Sequence, residues 1–167
     1  RVVRDGAAAY APMQLADASR AELLAALADG NAVRRETAQR LLVERGDVEA
    51  AAALNALALR GTTPEARLHA LYTLDGLGRL EAETVAAAVN DAHWGVRRHG
   101  LRLADGRRGD EAVLAAVVGR TDEESAPVRL QRALTLGESA DARAVAALEE
   151  LAVRQAGDDL LESAGWR

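Results

Sequence analysis

Apolar positions recur along this chain on two length scales. Within short stretches they fall at offsets of 0, 5 and 8 from a small apolar anchor, often joined by 1 or 4, which is one face of an α-helix. Four stretches share the wording: "VRRETAQRLLVERG" (Val33 to Gly46), "ARLHALYTLDGLG" (Ala66 to Gly78), "VRRHGLRLADG" (Val96 to Gly106) and "VRLQRALTLGE" (Val128 to Glu138). Each opens with the anchor and an arginine. The anchors Val33, Ala66, Val96 and Val128 stand 33, 30 and 32 residues apart. A further step of 32 reaches Leu160, where Leu161 replaces the arginine, so the last copy is incomplete. Self-similarity at this period is the signature of stacked helical pairs.

Between the four stretches lie shorter Ala/Leu segments that predict helices at Arg20 to Ala28, Asp47 to Leu59, Glu81 to Asn90, Asp110 to Val118 and Asp141 to Arg154. Ser19, Asp47, Asp110 and Asp141 are residue types that cap N-termini, and Gly46 and Gly109 punctuate turns. The unit is therefore helix, tight turn, helix, with the arginine in the first turn of the second helix. The fold predicted is all-α: a right-handed α-solenoid, an armadillo/HEAT-like superhelix of about four to five helical pairs. It occupies residues 19–167, after an irregular N-terminal extension or linker at 1–18 that contains Pro12.

Composition refines this picture. Apolar residues make up 49% but aromatics only 2%, with no Phe, so the interior is built from Ala, Leu and Val. A net charge of −5 argues against a surface dedicated to nucleic acid or anionic membrane. Cysteine is absent, which removes disulfides, a thiolate nucleophile and Cys-ligated metal from this segment. No apolar run reaches the length of a transmembrane helix.

The pattern resembles HEAT repeats, in which an Asp in the turn and an Arg opening the second helix form a ladder along the array. The matching positions are Asp29, Asp91 and Asp122 as turn acids and Arg34, Arg67, Arg97 and Arg129 as ladder arginines. The second copy departs from the pattern: its turn "GTTPEAR" offers Thr63 and Glu65 beside Pro64 but no Asp, so one rung is expected to be missing or rebuilt. Packing is the plainer role for these arginines, because a guanidinium carries five donors that can tie adjacent turns together. An anion-binding strip is the alternative, extended by Arg35, Arg40, Arg98, Arg102 and Arg132, with Glu36, Glu44 and Asp105 weakening it.

His69 and His99 hold the same place in successive copies, beside Tyr72 and Arg102. Neighbouring helix axes lie about 8–10 Å apart, too far for the two imidazoles to share a zinc at about 2.0 Å each. Together with Gln39 and Gln131 they mark a candidate partner-binding face on the concave surface: Gln39, His69, Tyr72, His99, Arg102 and Gln131. Trp94 is expected to cover the edge of the core from a turn, and Trp166 to pack on the last pair. No HExxH, GxSxG, phosphate loop or Ser/His/Asp spacing is present, so no catalytic, cofactor-binding or metal residue is assigned.

The wording of "NAVRRETAQRLLVERGD", "RLHALYTLDGLG", "VRRHGLRLAD" and "VRLQRALTLGE" resembles the HEAT-repeat segment of large bacterial proteins of the PVC-type haem-binding or membrane-bound dehydrogenase family. The likeness covers almost the whole chain, and "RVVRDG" looks like the connection leaving a propeller. In that family a β-propeller typically precedes the solenoid and a cytochrome c domain with a CxxCH motif typically follows it. The resemblance implies a spacer and docking scaffold between redox domains of an exported or periplasmic protein. Neither the propeller nor CxxCH lies within these residues, so no quinone- or haem-binding residue is carried over. The expected function is a non-catalytic scaffold that binds protein or flanking domains. The alternatives are DNA phosphate binding through the arginine strip and a HEAT-like lyase or glycosylase, which lacks its aromatic pocket and paired carboxylate here.

Overall fold

A computed structural model describes residues 15–121 and 125–155, and every regular element in them is helical, with no strand among the described residues. The order is α1 (Arg20–Ala26), α2 (Ala32–Glu44), α3 (Ala51–Arg60), α4 (Pro64–Gly76), α5 (Ala82–Val89), α6 (Trp94–Ala104), α7 (Glu111–Gly119), α8 (Ala126–Gly137) and α9 (Ala142–Gln155). Short 3-10 turns at Val48–Ala50 and Asp105–Arg107 lead into α3 and out of α6. The protein is all-α. No helix among the described residues is long and apolar enough to cross a membrane.

The starts and stops follow local chemistry. Ser19 and Glu22 form a reciprocal capping box at α1, and Asn31, Thr63 and His93 each accept a hydrogen bond from a first-turn N–H of α2, α4 and α6. Asp141 does the same through the Arg143 N–H at 2.8 Å. Asp47 and Asp110 precede helices without side-chain capping bonds, contrary to the expectation from their type. Asp47 is instead turned to the Arg20 guanidinium, whose Nε lies 2.8 Å from each carboxylate oxygen. At the other end of α2 and α4, Gly46 and Gly78 take φ of 61° and 64°. Asp47 N–H then reaches Leu42 C=O at 3.1 Å and Arg79 N–H reaches Leu74 C=O at 2.8 Å, the bond that closes a Schellman end.

Each helix packs on its sequence neighbour within a pair: α1 on α2, α3 on α4, α5 on α6, α7 on α8. The even-numbered helices also touch in succession from α2 to α8, and the odd-numbered ones from α3 to α9. Leu23, Leu27, Leu42, Leu54, Leu71, Leu74, Leu101 and Leu136 are fully buried, with Val85, Val89, Val96 and Val113 between them. Each such side chain contributes about 1.5–3 kcal/mol on leaving water. Of the predicted extension, residues 15–18 are described. Leu15 is buried in the core, and Arg45 at the end of α2 donates to the Ala16 and Ala18 carbonyls at 2.6 Å each. That part of the extension belongs to the folded unit.

The caps also correct the repeat register. From N-cap to anchor the chain runs three residues in α4, α6 and α8 (Thr63 to Ala66, His93 to Val96, Ser125 to Val128) but only two in α2, from Asn31 to Val33. Ala66, Val96 and Val128 are accordingly buried, whereas Val33 is 55% exposed. Arg34 takes the anchor's place in α2, and Arg35 takes the ladder arginine's. Aligned on the caps, the column nearest the odd helices reads Ala38, Ala70, Gly100 and Arg132, all buried. Small side chains there let the two helices of a pair approach closely. Gly100 is the extreme case, since a Cβ on it would meet the α5 backbone 2.6 Å away at Ala88 C.

Candidate functional site

The ladder is real in part and different in detail. One bond recurs at three successive turns: an arginine Nη1 donates to the carbonyl six residues back, Arg35 to Asp29 at 2.7 Å, Arg67 to Gly61 at 2.8 Å and Arg97 to Asp91 at 3.0 Å. Arg67 then reaches the following turn with a two-point contact, Nε to Asp91 Oδ2 and Nη2 to Oδ1, both 2.7 Å, with side chains only 13% and 12% exposed. Asp91 also accepts the His93 N–H at 2.7 Å. Burial would raise the Asp91 carboxyl, but Arg67 and the His93 N–H outweigh it and hold it below the usual carboxylate range. Asp29 is likewise held low, first by the Asn31 N–H and then by Arg34.

Arg34 is not a rung between repeats, because its Nε folds back 2.7 Å onto Asp29 in its own turn. The rung that Arg35 would make lacks a partner: Gly61 stands where Asp29 and Asp91 stand, and the buried Arg35 Nε has no hydrogen-bond acceptor. Arg97 and Arg129 sit at the matching places in α6 and α8, whereas Asp122 lies outside the described residues.

The candidate partner-binding face is organised by hydrogen bonds between even helices. His69 Nδ1 lies 2.7 Å from Gln39 Oε1 on α2, and Tyr72 Oη lies 2.7 Å from His99 Nδ1 on α6. The Tyr72 and His99 rings meet edge-on, centroids 5.5 Å apart at 82°. Gln39, His69, Tyr72, His99 and Gln131 are half-buried and Arg102 is exposed. Each histidine is thus engaged with the preceding even helix rather than with the other histidine. No group of three or more His, Cys, Asp or Glu among the described residues is placed to hold a metal. A groove of about 290 Å³ borders this row between α2 and α4, lined by Glu36, Gln39, Arg40, Val43, Glu44 and Tyr72.

Both imidazoles are held below the ordinary histidine value. For His69 burial is the main cause, then the Arg35 charge, against Glu36 and Glu65. For His99 burial again leads, followed by Arg98 and Arg102. The unfolded chain takes up protons near pH 6.5, where the folded histidines do not, so stability is complete above that value and falls as pH drops through it. The urea midpoint is expected to be lower at pH 5 than at pH 8, with the gap narrowed in a His69→Gln, His99→Gln variant. A gap unchanged by the double substitution would remove these histidines as its cause. Tyr72→Phe, which strands His99 Nδ1, is expected to cost about 1 kcal/mol in the same assay.

The arginine strip does not survive as one surface. Arg35 is partly buried against Asp29, Arg40 pairs with Glu44 at 2.8 Å, and Arg132 is 3% exposed. Arg132 sits in the small-residue column and sends its guanidinium to the end of α7, donating to Val117 C=O at 2.8 Å and Val118 C=O at 2.9 Å. Those carbonyls belong to the last turn of α7, which has no intrahelical donors for them and carries the negative end of the helix dipole. Arg132 is therefore a helix cap supplied from the neighbouring helix. Arg132→Met, which keeps the stem and removes the donors, is expected to lower unfolding free energy by about 1–2 kcal/mol. A melting curve superimposable on the parent's would refute the capping role.

Trp94 is the first residue of α6 rather than a turn residue; it is 46% exposed and stacks on His93 at 5.9 Å. Trp166 lies outside the described residues. Sequence reading missed the capping role of Arg132, the bond of Arg35 to the Asp29 carbonyl and the exposed Leu130 and Leu134 on α8. Counting from the N-cap residue instead of from the arginine would have placed Arg35 at the ladder position and Leu130 with Leu134 on one helix face, but the carbonyls that Arg132 caps are supplied only by the neighbouring helix. Comparisons of the chain with protein-family models, with curated proteins and with solved structures yield no match.

Proposed function

We propose that the chain is a non-catalytic helical-repeat scaffold, a HEAT-like right-handed α-solenoid of about four to five helical pairs, in a larger multidomain bacterial redox protein. Its even helices present one face to a protein partner or to flanking domains. The observation that carries the reading is the recurrence of one arginine-to-carbonyl bond at three successive turns, coupled to a row of inter-helix polar contacts on α2, α4 and α6. Such repetition spends its side chains on stacking like units, which is what an extended binding surface requires. Membership of a redox protein rests on the sequence resemblance alone. DNA binding is supported less, since three of the five arginines that would extend the strip are committed within the protein.

The test is hydrogen exchange on this chain free and within the longer polypeptide that its reading frame encodes, or with captured partner added. Protection confined to exposed amides at the N-terminal ends and flanks of α2, α4, α6 and α8 is expected. Unchanged exchange on every even helix, or turnover of a substrate by the isolated chain, would overturn the reading.

A further inference from the structure

Aligned on their N-caps, the even helices present different pairs at the fifth and ninth positions: Glu36 and Arg40 on α2, Leu68 and Tyr72 on α4, Arg98 and Arg102 on α6, Leu130 and Leu134 on α8. Residues four apart share a helix face. On α8 this places two leucines, 55% and 57% exposed, side by side in water. On α6, which packs directly against α8, it places two exposed arginines at the same height. Arg98 and Arg102 make no hydrogen bond or ion pair with any described residue, while Arg40 at the matching place on α2 is paired with Glu44. Both arginines lie near enough to His99 to hold its proton affinity down, after burial as the main cause. A chain of net charge −5 has carboxylates in excess, yet none among the described residues pairs with these two arginines.

We propose that the α6–α8 surface docks an amphipathic helical segment of a protein partner, with apolar side chains one turn apart on Leu130 and Leu134 and carboxylates one turn apart on Arg98 and Arg102. The proposal rests on the scaffold reading and adds the partner's chemistry to it. Even helices spaced about 8–10 Å apart present a shallow seam the width of one more helix. A nucleic-acid strand would satisfy the arginines but leave the leucines in water. An apolar peptide without acids would leave the arginines beside it unpaired and desolvated, at a cost.

The experiment uses a displayed library of helical peptides about 20 residues long selected on the whole chain, followed by anisotropy with the leading peptide synthesised and labelled. Enriched sequences are expected to carry Leu, Ile or Met four apart beside Asp or Glu four apart. Affinity should fall about tenfold or more in R98E/R102E and again in L130S/L134S, the sum of exposed pairs and lost apolar contact. These side chains are exposed, so melting curves should stay at the parent's value. Reversing the peptide's acids to lysine should restore affinity for R98E/R102E. Basic consensus peptides, or binding indifferent to both double variants, would overturn the placement while leaving a scaffold with another docking face. No enriched binder at all would overturn the docking site, while the scaffold reading stands or falls with the exchange experiment. Low-salt binding of duplex DNA abolished by R98E/R102E would assign the arginines to phosphates and end the proposal.

Discussion

Gly100→Leu is expected to be the most damaging single substitution on the even helices, lowering unfolding free energy by about 3 kcal/mol and melting temperature by roughly 6–12 °C for a chain of this size. A Cβ at residue 100 would lie 2.6 Å from Ala88 C, 2.7 Å from Val89 N and 2.9 Å from Ala88 O. These are backbone atoms of α5, which cannot swing aside as a side chain would, so relief requires α5 and α6 to move apart. That separation would loosen Val85, Val89, Val96 and Leu101 together, all at or below 1% exposure. Gly100→Ala already carries the offending atom and should show a smaller loss of the same sign. Gly106→Ala is the control, because a Cβ there meets nothing within 4 Å. Calorimetric melts of the three variants decide it; a Gly100→Leu protein melting with the parent would mean that α5 and α6 do not approach this closely.

Asp91→Ala should be next in effect, at about 2 kcal/mol. It removes both bonds of the Arg67 contact and the acceptor of the His93 N–H at the start of α6. Arg67 would be left nearly buried with only the Gly61 carbonyl, and an uncompensated charge is costlier than a missing pair. Arg67→Leu combined with Asp91→Ala is therefore expected to recover part of the loss, with a coupling energy of about 1 kcal/mol. Strict additivity in that cycle would show that the two side chains are independent. Because the folded Asp91 carboxyl is held below its ordinary value, its contribution is present above about pH 4 and disappears as pH falls through the folded value. Asp91→Asn should flatten the acid limb of the stability profile below pH 4, separately from the histidine effect near pH 6.5.

The missing rung sets these two results in context. Arg67 gains Asp91 from the next turn, whereas Arg35 has Gly61 at the matching position and keeps an unsatisfied Nε. Asp introduced at a loop position is not a simple repair, since Gly61 already sits against Leu57 C=O and the Arg67 stem. The asymmetry makes the α2–α4 step less tied by charge than the α4–α6 step. The Gln39–His69 contact supplies the polar link there instead.

Much was legible in the sequence because helices announce themselves locally. The 3.6-residue spacing of Leu, Val and Ala fixed where each helix runs, Gly46 marked the end of α2, and the 30- to 33-residue recurrence paired the helices. All of these depend on contacts within a few residues or on a period that composition cannot hide. The register of the first copy was not legible from its most obvious feature, the repeated "VRR". Helix start is set by the Asn31 side chain meeting the Val33 N–H, which shifts every later position in α2 by one and exchanges the roles of Arg34 and Arg35. The fate of each arginine was beyond the sequence altogether. Arg67, Arg98 and Arg132 are the same residue type on the same kind of helix, yet one bridges turns, one stands open in water and one is buried as a cap for α7. Periodicity fixes which side of its own helix a residue occupies. What that side faces is decided only when the neighbouring helix delivers a carboxylate, a carbonyl or nothing.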